Sequence, residues 1–100
     1  MLEKAYGIFF GTLANKNRLK IINLLRKGTK CVNEICNNLG FNQTTVSHNL
    51  KRLERCGFVF VEKKGKHRYY SLNQKTIKPL MSLIDEHMHE YCEKIAMGER

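Results

Sequence analysis

Residues 42–57 read NQTTVSHNLKRLERCG, a stretch that opens with uncharged amides and hydroxyls and then becomes cationic and amphipathic. Asn42 can cap a helix here, and Gly57 would end it. Its inward face would consist of Val46, Leu50 and Leu53. Surface helices usually mix charges from their first turn, so this order indicates that something lies against the opening turns. Short amide and hydroxyl side chains suit that position when the neighbour is a base edge in the DNA major groove.

The flanking segments predict that this helix is the second helix of a helix-turn-helix. Upstream, apolar residues at helical spacing between Cys31 and Leu39 predict a short helix that Gly40 ends. Downstream, FVFVEKKGKHRYYSL has β-branched and aromatic residues on both sides of KKGK, which predicts a β-hairpin with a cationic tip. Two short helices followed at once by a hairpin make a winged helix-turn-helix.

Helical patterns also occupy both ends of the chain. Apolar residues recur at helical spacing from Leu2 to Leu13; Asn15 can cap a second helix, which Gly28 closes. A last helix capped at Thr76 tolerates Pro79 in its first turn. The predicted fold is one mainly α domain with a small β-hairpin, in the order α1-α2-α3-α4-β-β-α5, over residues 1–100. Its expected parts are a helix-turn-helix at about 30–56, a wing at about 58–72, and dimerisation helices at about 2–13 and 76–97.

Charge narrows the class of partner. The chain has a formal net charge of +9, and residues 1–73 hold 14 of its 18 Lys and Arg but only 4 of its 9 Asp and Glu. A basic excess favours polyanions, with nucleic acid before an anionic membrane. No apolar run approaches the roughly 20 residues that span a bilayer, and no signal-peptide pattern opens the chain. Charge alone does not choose between these two partners. With the predicted winged helix-turn-helix, we expect a cytoplasmic protein that binds double-stranded DNA and no membrane.

Specific side chains are predicted to make the DNA contacts. Gln43 can pair with adenine N6 and N7, and nearby hydroxyls can touch phosphates or thymine methyls. The predicted contacts of the recognition helix are Asn42, Gln43, Thr44, Thr45, Ser47, His48, Lys51 and Arg52. Those of the wing are Lys63, Lys64, Lys66, His67 and Arg68. Two alternatives stay open: NQTT as a cap with a solvated first turn, and the lysines as protection of an edge strand against pairing.

Several segments together resemble the ArsR/SmtB family of small metal-responsive or otherwise effector-responsive repressors. LANKNRLKIINLLRKG is similar to the second helix of that family, and GKHRYYSLN looks like its wing. CVNEICNNLGFNQTTVSHNLKRLERCGFV resembles its helix-turn-helix, with the Ser-His pair at Ser47 and His48. The resemblance implies a homodimer, joined through the first and last helices, that binds an inverted-repeat operator and leaves it when an effector binds.

Apolar patterning at the two ends predicts the same dimer independently. The last helix has a longer apolar stripe than an edge helix of so small a core needs, and the first helix presents paired aromatic side chains. The predicted interface residues are Tyr6, Phe9, Phe10, Ile84, Met88 and Tyr91. The alternative is that both stripes pack on their own domain.

The first metal site that the resemblance implies is only half present. Soft-metal members of the family begin the third helix with Cys-Val-Cys-Asp, whereas this chain has Cys31-Val32-Asn33-Glu34. The first thiolate is kept and the second is an amide. Cys36 could replace it only in a different geometry.

The site that the family builds on its last helix is half present too. His87 and Glu90 fall at its later pair of ligand positions, but Gln74 and Thr76 occupy the earlier pair and are poor ligands. By spacing alone, Asp85, His89 and Cys92 offer a third possibility, at i, i+4 and i+7 on one side of a helix. We expect no required cofactor and four reduced cysteines, with a metal effector left open.

Two functions account for these patterns. The first is a homodimeric, sequence-specific DNA-binding transcriptional regulator, a repressor of the ArsR type. The second is a winged-helix module that binds nucleic acid without sequence preference or docks another protein. Enzymatic activity is not expected, because His89 and Cys92 form the nearest Cys-His pair and no phosphate loop, nucleophile elbow or acid pair accompanies them.

Overall fold

Helices and a three-stranded sheet follow one another along residues 1–98, the part of the chain that the computed structural model describes. The elements are α1 (Leu2–Leu13), α2 (Lys16–Leu25), β1 (Lys30–Cys31), α3 (Val32–Leu39), α4 (Gln43–Arg55), β2 (Val59–Lys64), β3 (His67–Leu72) and α5 (Ile77–His87). A π-helical stretch, Met88–Cys92, continues α5 into a short α6, Glu93–Ala96. The predicted order of helices and hairpin is confirmed. No helix in this range is long and apolar enough to cross a membrane.

Side-chain caps and one glycine set the turn between α3 and α4. Gly40 has a φ of +69°, a left-handed conformation that glycine adopts without steric cost, and it ends α3. Asn42 then caps α4, since its Oδ1 accepts a hydrogen bond from the Thr45 amide at 2.8 Å. Asn15 caps α2 in the same way, by accepting from the Arg18 amide at 3.0 Å. These three predicted helix ends are confirmed.

The hydrophobic core lies beneath α4. Val46, Leu50 and Leu53, the predicted inward face, are fully buried. They pack with buried residues of the other elements, among them Ile21, Ile22, Ile35, Phe58, Leu72 and Met81. From α1, Phe9 reaches this core and stacks on Phe58 with 5.0 Å between ring centroids. The core therefore fixes which face of α4 points outward.

The sheet has one strand more than the sequence predicts. The two residues of β1 pair antiparallel with β3, Lys30 opposite Tyr70 and Cys31 opposite Tyr69, so the strand order is β1-β3-β2. A two-residue strand carries no alternation to detect. Its pairing attaches the start of α3 to the wing, and thus holds the helix-turn-helix and the hairpin in a fixed relation.

The last helical segment differs from the single helix predicted over residues 76–97. The N-cap position is Thr76, as predicted, although its side chain makes no capping hydrogen bond. Asn73 Oδ1 accepts from the amides of Lys75 at 3.0 Å and Thr76 at 3.1 Å in the turn that precedes the helix. The π-helical stretch Met88–Cys92 adds about one residue to a turn and shifts the positions beyond it around the helix axis. The regular α-helical register assumed for this stripe is therefore wrong after His87.

This segment extends away from the core. No residue from 85 to 98 is buried. The radius of gyration is 14.8 Å, compared with about 13 Å for a compact domain of this length. Residues 82–98, none of which is buried, thus project as a terminal arm with little support from their own protomer.

Candidate nucleic-acid interface

One face of α4 and the tip of the wing border the same groove. Gln43, Ser47 and Lys51 follow one another at i, i+4 and i+8 along the exposed face of α4. They line a groove of about 600 Å³ together with Lys66, His67 and Arg68 of the wing. The structure therefore brings together members of both predicted contact sets, one rich in base-reading side chains and the other cationic.

Two other predicted residues of α4 flank this groove. Thr44 and His48 are exposed and share a shallow depression with the three groove residues of the helix. Asn42 is exposed at the N-cap, whereas Thr45 is half-buried. Amides and hydroxyls thus occupy the opening turns, where the helix dipole also places partial positive charge.

The wing concentrates like charges across its own ladder. All five predicted cationic residues of the hairpin are exposed, and Gly65, with a φ of +62°, allows the tight turn. Lys63 lies directly opposite Arg68. Lys64 lies opposite His67 on the other face of the hairpin, and its Nζ is 3.8 Å from Glu62 Oε1. Like charges facing each other across strands are destabilising. A polyanion against the face that carries Lys63 and Arg68 would relieve the repulsion between these two side chains.

Arg52 lies outside the groove. Its Nε donates a hydrogen bond to Thr12 Oγ1 of α1 at 3.0 Å. The side chain lines a separate cleft of about 370 Å³ with Ile8, Arg55 and Cys56. The structure thus separates Arg52 from the other predicted contacts and ties its guanidinium to α1.

A half-buried arginine that the sequence did not single out joins three helices. Arg18 of α2 donates from Nε to Thr12 O at 2.7 Å, from Nη2 to Gly11 O at 3.1 Å, and from Nη1 to Asn49 Oδ1 at 3.2 Å. Asn49, itself buried in α4, donates from Nδ2 to Thr45 O at 2.8 Å. Burial, and secondly the nearby Arg52 guanidinium, lower the pKa of Arg18. Thr12, Arg18, Asn49 and Arg52 are called the polar seam below.

Five residues that line the groove were not predicted as contacts: Cys31, Val32, Asn33, Glu54 and Tyr70. Glu54 follows Lys51 by three residues, so its place on the same helix face was available from spacing. The position of Asn33 depends on how α3 packs against the sheet, which spacing does not reveal.

The predicted dimer residues divide into two groups. Tyr6, Phe10, Met88 and Tyr91 are exposed, as expected of an interface between protomers. Phe9 and Ile84 instead are partly buried and pack against the core of their own domain. Leu83 on α5, which was not among the predicted dimer residues, is 63% exposed.

The third metal possibility is wrong within one protomer. Asp85 Oδ2 pairs with Arg26 Nη1 at 2.7 Å, and His89 Nδ1 lies 3.0 Å from Glu93 Oε2. Residues 1–98 hold no group of three or more His, Cys, Asp or Glu side chains placed to bind one ion. The spacing argument failed because it assumed regular α-helix through Met88–Cys92.

The family-like position at the start of α3 serves as a helix cap. The Cys31 amide donates to Glu34 Oε1 at 2.9 Å, a bond that lowers the pKa of the Glu34 carboxyl. Cys31 itself is buried and free of any disulfide. Within one protomer, Cys31 and Glu34 therefore cap the first turn of α3.

A helix-turn-helix whose second helix shares a groove with a basic β-hairpin defines a winged-helix DNA-binding protein. Comparison with known proteins gives the family. The profile described as "Bacterial regulatory protein, arsR family" matches residues 15–60. The arsenical resistance operon repressor of Staphylococcus aureus is 30% identical over 103 residues, which cover 99% of both chains. The chain belongs to the arsR family of transcriptional regulators, a family that is not enzymatic.

Two further similarities bear on length and shape. The HTH-type transcriptional regulator Rv0324 of Mycobacterium tuberculosis is 36% identical over 86% of this chain, which spans only 38% of that relative. A solution structure from Mycobacterium bovis superposes with a TM-score of 0.85 at 32% identity, covering 92% of this chain and 85% of the other. It is described as the homodimeric winged helix-turn-helix DNA-binding domain of Mb0332, a possible ArsR-family regulator.

Proposed function

We propose that this chain acts in the cytoplasm as a homodimeric, sequence-specific repressor that binds an inverted-repeat operator. The observation that carries the proposal is the groove in which Gln43, Ser47 and Lys51 face the cationic wing. Side chains that read bases and side chains that hold phosphates are both needed for sequence-specific binding. The groove presents both kinds on one surface.

The recognition helix would supply the specificity. Gln43 is exposed in the first turn of α4, where its amide can form a bidentate pair with adenine. Thr44, Ser47 and His48 extend the same surface along the next turn. Each good bidentate pair discriminates against a wrong base by about 1–3 kcal/mol.

The wing would supply affinity that does not depend on sequence. Lys63, Lys64, Lys66 and Arg68 crowd the hairpin, and each phosphate that they neutralise releases condensed counterions. The facing pair Lys63 and Arg68 would exchange mutual repulsion for attraction to the DNA backbone.

Two copies would join through the helices at the ends of the chain. Leu83, Met88 and Ile95 are exposed beyond the core, and Tyr6 and Phe10 are exposed on α1. Apolar surface of this extent marks an interface. The homodimeric description of the Mycobacterium bovis domain and the repressor name of the Staphylococcus aureus relative support the same assembly and role here. A two-fold dimer places its recognition helices about one DNA turn, 34–36 Å, apart.

A titration of two duplexes tests this function. The first is the inverted repeat that the wild-type protein selects from a random pool, and the second is its scrambled version. We expect the selected duplex to bind at least about 10³-fold more tightly at physiological salt. A ratio near one would instead support the module that binds without sequence preference.

A single substitution sharpens the test. Gln43→Ala should weaken binding to the selected duplex by about 1–3 kcal/mol and leave the scrambled duplex unaffected. Gln74→Ala is the matched control, because Gln74 is an exposed glutamine that does not line the groove. Equal losses on both duplexes would mean that Gln43 reads no base.

A further inference from the structure

The recognition helix is attached to α1 by hydrogen bonds as well as by the core. We propose that Arg18 and Thr12 are positioning residues that fix the orientation of α4 relative to α1. Because α1 belongs to the dimer, they would also fix α4 relative to the second subunit. The polar seam would thereby set the separation of half-sites that the protein accepts. This inference rests on the proposed function, in which α1 belongs to the dimer and α4 reads DNA.

The guanidinium of Arg18 can make all of its hydrogen bonds only in one relative orientation of α1 and α4. Two of its bonds go to Gly11 O and Thr12 O, carbonyls in the last turn of α1 that have no partner within the helix. A third goes to Asn49 Oδ1 on α4. Because the donors form a rigid planar fork, the three bonds constrain the angle between α1 and α4 as well as the distance. A lysine ammonium at the same place could not span the three acceptors.

Thr12 provides a second attachment one turn along α4. Its side chain is fully buried, and Oγ1 donates to Ile8 O at 2.8 Å while accepting from Arg52 Nε at 3.0 Å. Asn49 and Arg52 are three residues apart and therefore neighbours on one face of α4. Attachment at two points a turn apart resists rotation of α4 about its own axis. A single contact would not.

That rotation is the motion that would matter for reading DNA. At 3.6 residues per turn, the seam residues Asn49 and Arg52 lie on nearly the opposite side of α4 from Gln43, Ser47 and Lys51. The seam thus holds the back of the helix while the front enters the groove. In a dimer, both recognition helices would be held at one angle to the shared α1 helices, and this selects one half-site spacing.

The experiment measures discrimination between spacings. The wild-type protein and its variants are titrated with the selected inverted repeat and with two versions whose centre is lengthened or shortened by one base pair. The readout is the ratio of the affinity for the selected spacing to the affinity for each altered spacing. A variant that is merely less stable has fewer active molecules, which lowers its affinity for all three duplexes by the same factor and leaves the ratio unchanged.

Two variants remove seam contacts while keeping shape or charge. Thr12→Val keeps the volume but loses the hydroxyl, and Thr12→Ser, which keeps the hydroxyl, is its control. Arg18→Lys keeps the charge but loses the fork. We expect wild type and Thr12→Ser to prefer the selected spacing by at least about thirtyfold. In Thr12→Val and Arg18→Lys, this preference should be at least about tenfold smaller than in wild type.

The outcomes separate this inference from the proposed function. Undiminished preference in both variants would overturn the inference, and so would equal losses in Thr12→Ser and Thr12→Val. Arg18→Lys decides the question if circular dichroism shows that Thr12→Val is unfolded. A wild-type protein that prefers no duplex over a scrambled one would instead contradict the proposed function itself.

Discussion

Helix α4 and the terminal arm differ in how deeply their apolar side chains are buried. In α4, the predicted inward residues Val46, Leu50 and Leu53 are completely buried within one protomer. On the arm, Leu83 is 63% exposed and Ile95 is 58% exposed. One region is thus complete in a single chain, and the other has apolar surface that only a further contact would cover. Fold and assembly are therefore encoded in different parts of the sequence.

Charge follows the same division. Residues 1–73 carry most of the basic excess, whereas residues 74–100 hold four Lys and Arg against five Asp and Glu. Two strongly basic surfaces would repel each other across a dimer interface. The proposed pairing through the nearly neutral arm would avoid that repulsion and leave the basic surface for DNA.

The largest expected effect contrasts leucines of the two regions. Leu53→Ala should lower the free energy of unfolding by about 2–5 kcal/mol, because it leaves a cavity in the core. Leu83→Ala should cost much less, and its effect should depend on protein concentration, because Leu83 would be covered only in the dimer. Urea denaturation followed by circular dichroism at two concentrations measures both. If both variants lost the same free energy of unfolding at both concentrations, the distinction between the two regions would be contradicted.

The next effect concerns assembly. Leu83→Glu places a carboxylate in the proposed interface, where it would lose its water without gaining a partner. We expect the dimer to weaken by about a hundredfold, roughly 2.7 kcal/mol. Sedimentation across a concentration series measures this change. Ser82→Glu, a carboxylate at the neighbouring exposed position, is the control. A Leu83→Glu dimer as tight as wild type would place the interface elsewhere.

A smaller effect tests the wing. Replacing Lys64 and Lys66 together with alanine should lower affinity equally for the selected and scrambled duplexes, because phosphate contacts carry no sequence information. The slope of log affinity against log salt should fall by about two. Replacing Lys4 and Lys94, exposed lysines of the terminal helices, should leave the slope unchanged. An unchanged slope in the wing variant would mean that the hairpin tip lies away from DNA.

The smallest effect is a pH dependence at the start of α3. The hydrogen bond from the Cys31 amide holds the pKa of Glu34 below its ordinary value. A carboxyl with a lowered folded pKa stabilises the protein above its ordinary pKa, and this contribution disappears as pH falls through the folded pKa. The melting temperature of wild type should therefore exceed that of Glu34→Gln slightly at neutral pH and converge with it in acid. A difference that grows in acid would contradict this assignment.

Local signals were enough to predict the helix-turn-helix and the β-hairpin. Asn42 and Gly40 determine the turn before α4 through a cap and a left-handed conformation, and both act within a few residues. Gly65 determines the turn of the hairpin through a left-handed conformation as well. Spacing then places Gln43 and Ser47 on one exposed face. These features could be read from the sequence because short-range chemistry decides them.

Long-range contacts explain what the sequence did not reveal. Strand β1 exists because Lys30 pairs with Tyr70, forty residues away. The polar seam joins Thr12 to Arg52, which are equally distant along the chain. Ile84 was assigned to the dimer stripe from periodicity, yet it packs on its own core. Helical spacing gives a face, but it does not say which neighbour covers that face.

The most direct test of the central claim is the affinity of the selected inverted repeat against the same duplex with one half-site scrambled. The central claim is that the terminal arms pair two chains so that two α4 helices read two half-sites. It predicts that scrambling one half-site weakens binding at least about a hundredfold, because several matched base pairs are lost at once. Sedimentation of the complex on the intact repeat should show two chains per duplex. One chain per duplex, with affinities within about threefold of each other, would contradict the claim.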